Sequence, residues 1–195
     1  MANIVIAYHS GNHHTESVAL EVAKGAEAAG ASVIVHNIEN PVERLWNDLA
    51  AADCIVFGCP TYMGDVSASF KQFAENTSKL WFKQEWAGKL AAGFTNSGTP
   101  AGDKLATLQS LSVLAAQHGM VWVNAGVMPS VYTGDGKNLN RFAHYMGLAT
   151  VSENAPASET NPAPEDRETA RRFGKHLAEC AARWSFGKGA FTQAA

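Results

Sequence analysis

The feature that most constrains the fold is a regular alternation of short apolar runs with helix-forming segments over residues 3–125. The apolar runs, rich in β-branched residues, lie at 3–8, 32–37, 53–58, 89–96 and 120–125. The helical patterns between them lie at 15–30, 41–52, 67–80 and 104–119. Strands buried on both faces are apolar throughout, and successive strand–helix units favour a parallel sheet with helices on both faces. We therefore predict an α/β fold with a five-stranded parallel sheet in the order 2-1-3-4-5.

The remainder of the chain has a different character. Residues 126–164 are punctuated by Gly, Pro, Asn and Ser, which predicts an irregular excursion over the surface. A last helix is expected from Pro164 to about Trp184, followed by a mobile tail over 185–195. The whole of 1–195 is expected to form one domain.

Composition excludes several classes of function. A net charge of −3 and a pI of about 6.1 are too mild to attract nucleic acid. No apolar run is long enough to span a membrane, and the N-terminal one is too short for a signal peptide. Cys54, Cys59 and Cys180 form no paired spacing, which predicts a reduced, cytoplasmic protein. No spacing of the seven histidines completes a metal site, so no metal is expected.

Three polar turns follow the first, third and fourth predicted strands, and they are the turns richest in Ser, Thr, Asn and Gly. In a doubly wound sheet, ligands bind outside the carboxyl ends of the strands, where the strand order reverses. These turns therefore meet at one place. Each taken alone is also compatible with an ordinary connection, but three such turns at one switch point favour a ligand site.

The first turn leads directly into a helix, where free amide groups and the helix dipole attract an anion. It contains no Lys or Arg, which favours a phosphomonoester held by neutral donors. The alternative is an ordinary capped turn. Its candidate binding residues are Ser10, Gly11, Asn12, His13, His14 and Thr15.

The second and third turns suit a flat ring. Tyr62 and Met63 offer an aromatic and an apolar wall, while small residues after the fourth strand let backbone amides approach a ring edge. The alternatives are a tight surface loop with a packed tyrosine and a flexible linker. The candidate binding residues are Pro60, Thr61, Tyr62, Met63 and Gly64, together with Asn96, Ser97, Gly98 and Thr99.

Several motifs then carry a family resemblance: YHSGNHHT, FGCPTYMGDVSASFKQF, LAAGFTNSGTPAGDK and QHGMVWV. Together they resemble the flavodoxin-like NAD(P)H:quinone oxidoreductases of the WrbA type and the related FMN reductase-like proteins. The match runs in register over about residues 3–125. It implies a flavodoxin-like fold, with FMN as cofactor and NADH or NADPH as electron donor.

The resemblance also implies roles for particular residues. The FMN phosphate would lie on Ser10 to Thr15, and the isoalloxazine edge would meet the other two turns. Trp81 resembles an aromatic residue that shields the flavin face, and His118 a histidine near the flavin. Because His118 ends a helix that runs away from the site, it would act only from a neighbouring subunit, in a homodimer or homotetramer; the alternative is a role at its own helix end.

Relatives commonly carry glycine where this chain has His13. If that position needs a positive φ, a histidine there costs more than a glycine. Three functions follow from these observations. The first is an FMN-dependent oxidoreductase that passes electrons from NAD(P)H to a quinone-like acceptor. The second is a one-electron carrier of flavodoxin type. The third is a flavodoxin-fold protein with weak FMN binding.

Overall fold

The computed structural model describes the backbone of residues 1–192 and the side chains of residues 1–186. The strands in this part of the chain are β1 Asn3–Tyr8, β2 Ser32–Asn37, β3 Cys54–Tyr62, β4 Asp65–Val66, β5 Leu90–Ser97, β6 Val121–Trp122 and β7 Leu148–Val151. The helices are α1 His14–Ala28, α2 Leu45–Ala51, α3 Ala68–Asn76, α4 Ser78–Phe82, α5 Lys104–Gln117, α6 Ser130–Thr133 and α7 Pro164–Thr192.

The central sheet has the order β2-β1-β3-β5-β6, and all of these neighbours pair in parallel. This is the predicted order 2-1-3-4-5, because β4 is only a short antiparallel hairpin partner of β3. Alternate residues of β1 enter two separate cores. Ile4 and Ile6 pack with α1 and α7, whereas Val5 and Ala7 pack with α2, α3 and α5. Helices therefore cover both faces of the sheet, as the apolar strands predicted.

The fifth position in the sheet is shared by two short strands. β6 pairs with Leu90 and Ala91 at the start of β5, and β7 pairs with residues 94–97 at its end. A single strand over 120–125 was predicted, and β7 lies inside the stretch 126–164 that was predicted to be irregular. That prediction is wrong at β7, since a four-residue strand surrounded by Gly and Pro gives too short an alternation to stand out.

The chain between β6 and β7 is held by local hydrogen bonds. Asn140 donates through Nδ2 to the carbonyl oxygens of Val127, at 2.8 Å, and His144, at 3.0 Å. The amide of Leu139 donates to the hydroxyl of Ser130 at 2.8 Å. The excursion is therefore a folded loop that leaves the edge of the sheet and returns to it beside the same strand.

Helices α1 and α7 are pressed closely together. A Cβ atom on Gly174 would lie 2.0 Å from the carbonyl oxygen of Val22, so only glycine fits there. Beside this contact, the buried carboxylate of Glu21 is bound by Lys24 of its own helix and by Arg167 and Arg171 of α7. These contacts fasten α7 across the first strand–helix unit.

Helix α7 extends to Thr192, beyond the end predicted near Trp184. The alternation of apolar and charged residues stops after Trp184, but Gly and Ala in 187–190 do not terminate the helix. Residues 193–195 of the predicted tail lie outside the described residues, so the mobility of 185–195 stays a prediction.

Candidate functional site

The three polar turns meet at the carboxyl ends of β1, β3 and β5, as predicted. They enclose a cavity of about 260 Å³. Its lining includes most of the predicted binding residues: Ser10, Gly11, Asn12, His14, Thr15, Pro60, Tyr62, Asn96, Ser97 and Gly98. Neither Lys nor Arg is among the residues that line it, so an anion here would be bound by neutral donors.

The backbone amide groups of the first turn lie beside the cavity, without partners in the described part of the protein. In the described residues, the backbone N–H groups of residues 11–15 donate to no protein acceptor, and the amide of Glu16 donates to the hydroxyl of Ser10 at 3.2 Å. Successive unpartnered amides at the start of a helix form an anion-binding nest. This donor set fits a phosphate group, which would satisfy several of these amides at once.

His13 has a φ of 61°, in the left-handed region. The positive φ considered from the sequence is therefore present, and the histidine adopts a conformation that glycine would adopt more easily. Its Nδ1 lies 2.6 Å from a carboxylate oxygen of Glu16. The side chain points to solvent, outside the main cavity, and lines an adjacent surface hollow together with residues 154–157.

The second turn contributes Pro60 and Tyr62, and its other predicted residues lie elsewhere. A Cβ atom on Gly11 would lie 2.5 Å from the Tyr62 hydroxyl, so the phenol ring closes against the first turn. Thr61 is buried behind the cavity, where its hydroxyl bonds to those of Thr95 and Thr107, each at 2.8 Å. Met63 is fully exposed, and Gly64, with a φ of 84°, turns the chain back toward β4.

The third turn contributes Asn96, Ser97 and Gly98. Thr99 turns away, and its carbonyl oxygen accepts a hydrogen bond from the ammonium group of Lys104. Lys104 is completely buried at the start of α5, and it also donates to the carbonyl oxygen of Pro100. Lys104 was not predicted from the sequence, because a single lysine after a loop gives no sign of burial.

A fourth segment, Ser152 to Asn154, completes the cavity and was not predicted. It follows β7, the strand that the sequence pattern did not reveal. The segment is attached to the first turn, since Nε2 of His14 donates to the carbonyl oxygen of Ala155 at 2.8 Å. The amide of Ser152 also donates to the carbonyl oxygen of Ser97 at 3.1 Å.

Trp81 and His118 lie together, but away from this cavity. Both line a separate groove of about 410 Å³ between α3, α4 and α5, together with Lys71, Thr77 and Gln117. The two cavities share no lining residue. Within one chain, the two candidates are therefore not brought to the cofactor cavity.

His118 is a buried side chain at the end of α5. Its Nε2 lies 2.9 Å from the hydroxyl of Thr77, and its ring packs on Trp86 with centroids 4.4 Å apart. Burial lowers the pKa of His118, which favours the neutral ring. Nδ1 is buried without a hydrogen-bond partner in the described residues.

Among the described residues, the cysteines and the other metal-ligating side chains form no second centre. Cys54, Cys59 and Cys180 are free thiols, and burial raises the pKa of Cys59 to about 12, so its thiol stays protonated. Across the described residues, no three His, Cys, Asp or Glu side chains are grouped to hold a metal ion. None of the helices in that part of the chain has the length and apolar character needed to cross a membrane.

The sheet order, with a nest of free amides and a cavity at its switch point, defines a flavodoxin-like nucleotide-binding protein. A family model described as NADPH-dependent FMN reductase matches residues 35–133. The chain belongs to this family.

Similar proteins agree with this assignment. Flavodoxin FldP of Pseudomonas aeruginosa is 36% identical, over 91% of this chain and 96% of its own. An NAD(P)H dehydrogenase (quinone) of Archaeoglobus fulgidus is 32% identical, over 93% and 98%. Among solved structures, a flavodoxin, WrbA-like protein from Agrobacterium tumefaciens has 40% sequence identity to this chain. The two structures superpose with a TM-score of 0.73, over 94% of this chain and 99% of that one. These findings confirm the resemblance found in the sequence.

Proposed function

We propose that the protein is an FMN-dependent oxidoreductase that passes electrons from NAD(P)H to a quinone or a similar small acceptor. The observation that carries this proposal is the row of unpartnered amides at residues 11–15, beside a cavity that residues of all three turns line. FMN has the matching shape, a phosphate joined to a flat ring, and when bound it supplies the two-electron redox chemistry.

The protein's own contribution is binding and orientation. The nest at residues 11–15 and the hydroxyl of Ser10 hold the phosphate. Tyr62, Asn96 and Gly98 line the part of the cavity that the ring would occupy. In the proposed reaction a nicotinamide and a quinone would occupy the same face of the ring in turn.

The direct test uses purified protein loaded with FMN, NADH or NADPH, and benzoquinone. We expect a visible flavin spectrum that shifts on binding, and a rate of NAD(P)H oxidation far above that of free FMN. The apoprotein and protein-free FMN are the controls. Turnover no faster than free FMN at any concentration would remove the enzyme assignment.

A second candidate function is supported by the relative named flavodoxin FldP: a one-electron carrier of flavodoxin type. Reductive titration separates the two. A carrier takes up its electrons in two resolved steps, whereas the proposed enzyme takes them up together. The third possibility, weak FMN binding caused by the strained His13, predicts a colourless protein that fails to take up added FMN.

We propose that the protein works as a homodimer or homotetramer in the cytoplasm. Trp81 and His118 line a groove that their own chain leaves separate from the cofactor cavity, so a role near the flavin requires a second copy. The three free thiols suit a reducing compartment. Sedimentation velocity tests the assembly, and a monomer at all concentrations would leave both residues without a role near the flavin.

A further inference from the structure

Asn96 lines the cofactor cavity and is almost completely buried. It lies near the carboxyl end of β5, in register with Pro60 of β3, and its side chain is 4% exposed. A buried amide group needs partners for both its oxygen and its nitrogen, because an unmet donor or acceptor costs free energy. The partners of this amide show how it is oriented.

The oxygen of the Asn96 side chain is fully used by the protein. Oδ1 accepts from the hydroxyl of Thr150 at 2.8 Å and from that of Ser152 at 3.0 Å. Both hydroxyl residues belong to β7 and its end, and both are buried. The nitrogen has no protein acceptor among the described residues, yet it is not among the buried atoms left unsatisfied, so Nδ2 faces the open cavity.

The position of the nest indicates which part of a ligand meets this donor. With the phosphate on residues 11–15, the ring must lie toward Asn96, Ser97 and Gly98. The flavin ring has one apolar end and one end that carries carbonyl oxygens. The polar lining of residues 96–98 favours the carbonyl end, and an N–H group is the complement of a carbonyl oxygen.

We infer that Thr150 and Ser152 are positioning residues that fix the Asn96 amide, so that its Nδ2–H group donates to a carbonyl oxygen of the flavin ring. The inference rests on the proposed function and specifies how that site holds the ring. Reduction adds negative charge to this end of the ring, and hydrogen bonds to charged acceptors are stronger than those to neutral ones. The donor therefore binds reduced FMN more tightly than oxidised FMN.

The first variant is Asn96→Asp, which keeps the shape and an oxygen for both hydroxyls but replaces the donor with a carboxylate oxygen. We expect the Kd for oxidised FMN, measured by fluorescence quenching, to rise about tenfold. The Kd for reduced FMN should rise by about tenfold more than the Kd for oxidised FMN, which lowers the two-electron midpoint potential by about 30 mV. Equal loss for both forms, or no loss, would overturn the inference.

The second test is a double-mutant cycle that joins Thr150→Val with Asn96→Ala. If Thr150 acts through the amide, its substitution lowers the potential in the wild-type background and has no further effect in the Asn96→Ala background. Additive effects would show that Thr150 does not act on the flavin through the Asn96 amide. Thr169→Val, which removes a buried hydroxyl of α7 bonded to Asn140, is the matched control and should leave the potential unchanged.

The outcomes separate the inference from the proposed function. Failure of the wild-type protein to take up FMN overturns both. The inference alone is overturned if the wild-type protein takes up FMN but the effects of Thr150→Val and Asn96→Ala are additive. It is also overturned if Asn96→Asp leaves the ratio of the Kd values for oxidised and reduced FMN unchanged. Circular dichroism of each apoprotein reports whether a variant is folded, and Thr150→Ser, which keeps the hydroxyl, should restore the potential.

Discussion

The ammonium group of Lys104 donates a hydrogen bond to the carbonyl oxygen of Pro100, 3.2 Å away, from a position with no exposure to solvent. A second hydrogen bond goes to the carbonyl oxygen of Thr99. Through these two hydrogen bonds the lysine stabilises the turn that contributes Asn96, Ser97 and Gly98 to the cavity. Burial lowers its pKa to about 8; the carboxylate of Asp166 opposes this shift and Arg141 adds to it.

Because Lys104 is buried, the free energy of unfolding should depend on pH in the alkaline range. The unfolded chain binds the proton up to a pKa near 10.5, whereas the folded chain releases it near 8, so the free energy of unfolding rises between these values. Relative to Lys104→Met, the wild-type protein should gain about 2 to 3 kcal/mol over that range. Urea denaturation at a series of pH values measures it. The free energy of unfolding of Lys79→Met, a substitution at an exposed position, should change with pH as that of the wild-type protein does.

Ser10 is expected to contribute to phosphate binding through its hydroxyl. The hydroxyl oxygen accepts from the amide of Glu16, which leaves its proton free to donate into the cavity. A hydrogen bond to a charged group contributes about 1.5 to 3 kcal/mol, so Ser10→Ala should weaken FMN binding at least tenfold. Flavin fluorescence titration measures the Kd. Ser112→Ala, on α5 and away from the cavity, should bind FMN like the wild type, and equal Kd values for both variants would contradict the role.

Glu21 should make the protein sensitive to acid. Its burial pushes the carboxyl pKa upward, but hydrogen bonds from Lys24 and Arg171 outweigh this and hold the pKa below 4.5. The stabilisation is therefore complete above that value and is lost as the pH falls through the lowered pKa.

Glu21→Ala removes the buried carboxylate that accepts hydrogen bonds from Lys24, Arg167 and Arg171, and it should lower the free energy of unfolding at neutral pH by about 2 kcal/mol. The comparison variant is Glu179→Ala, whose ion pair with Lys175 spans 3.9 Å at the surface and should contribute less than about 1 kcal/mol. Similar losses in the two variants would show that Glu21 does not fasten α1 to α7.

Gly174 should tolerate no side chain. Because a Cβ atom would lie 2.0 Å from the carbonyl oxygen of Val22, Gly174→Ala forces α1 and α7 apart and should cost about 2 kcal/mol or more. Thermal denaturation measures the change. Lys175→Ala, one residue further along α7 and exposed, should change stability by no more than about 0.5 kcal/mol.

How much the sequence revealed can be judged from Asn96 and its partners. Asn96 follows a strong apolar run, so its place at the end of a strand and at the switch point was predictable. Thr150 and Ser152, which orient it, were not, because β7 has four residues and pairs with β5 only through its position in space. Sequence periodicity identifies long buried strands; it does not identify a short strand whose existence depends on a distant neighbour.

The first turn shows the same limit at the level of one residue. The sequence indicated an anion site before α1 and raised a positive φ at His13, and the structure has both. It did not indicate that His14 would bond to Ala155, since that contact joins residues 141 positions apart. Long-range partners of this kind depend on the path of the excursion, which carries no strong local pattern.

The division of the fifth strand has a consequence for how such a chain can change. Both ends of the loop between β6 and β7 are anchored to one strand, so its length can vary while its two attachment points stay where they are. Substitutions or insertions in residues 123–147, none of which lines the cavity, would change the surface at this edge of the sheet without disturbing the groups that hold the ring.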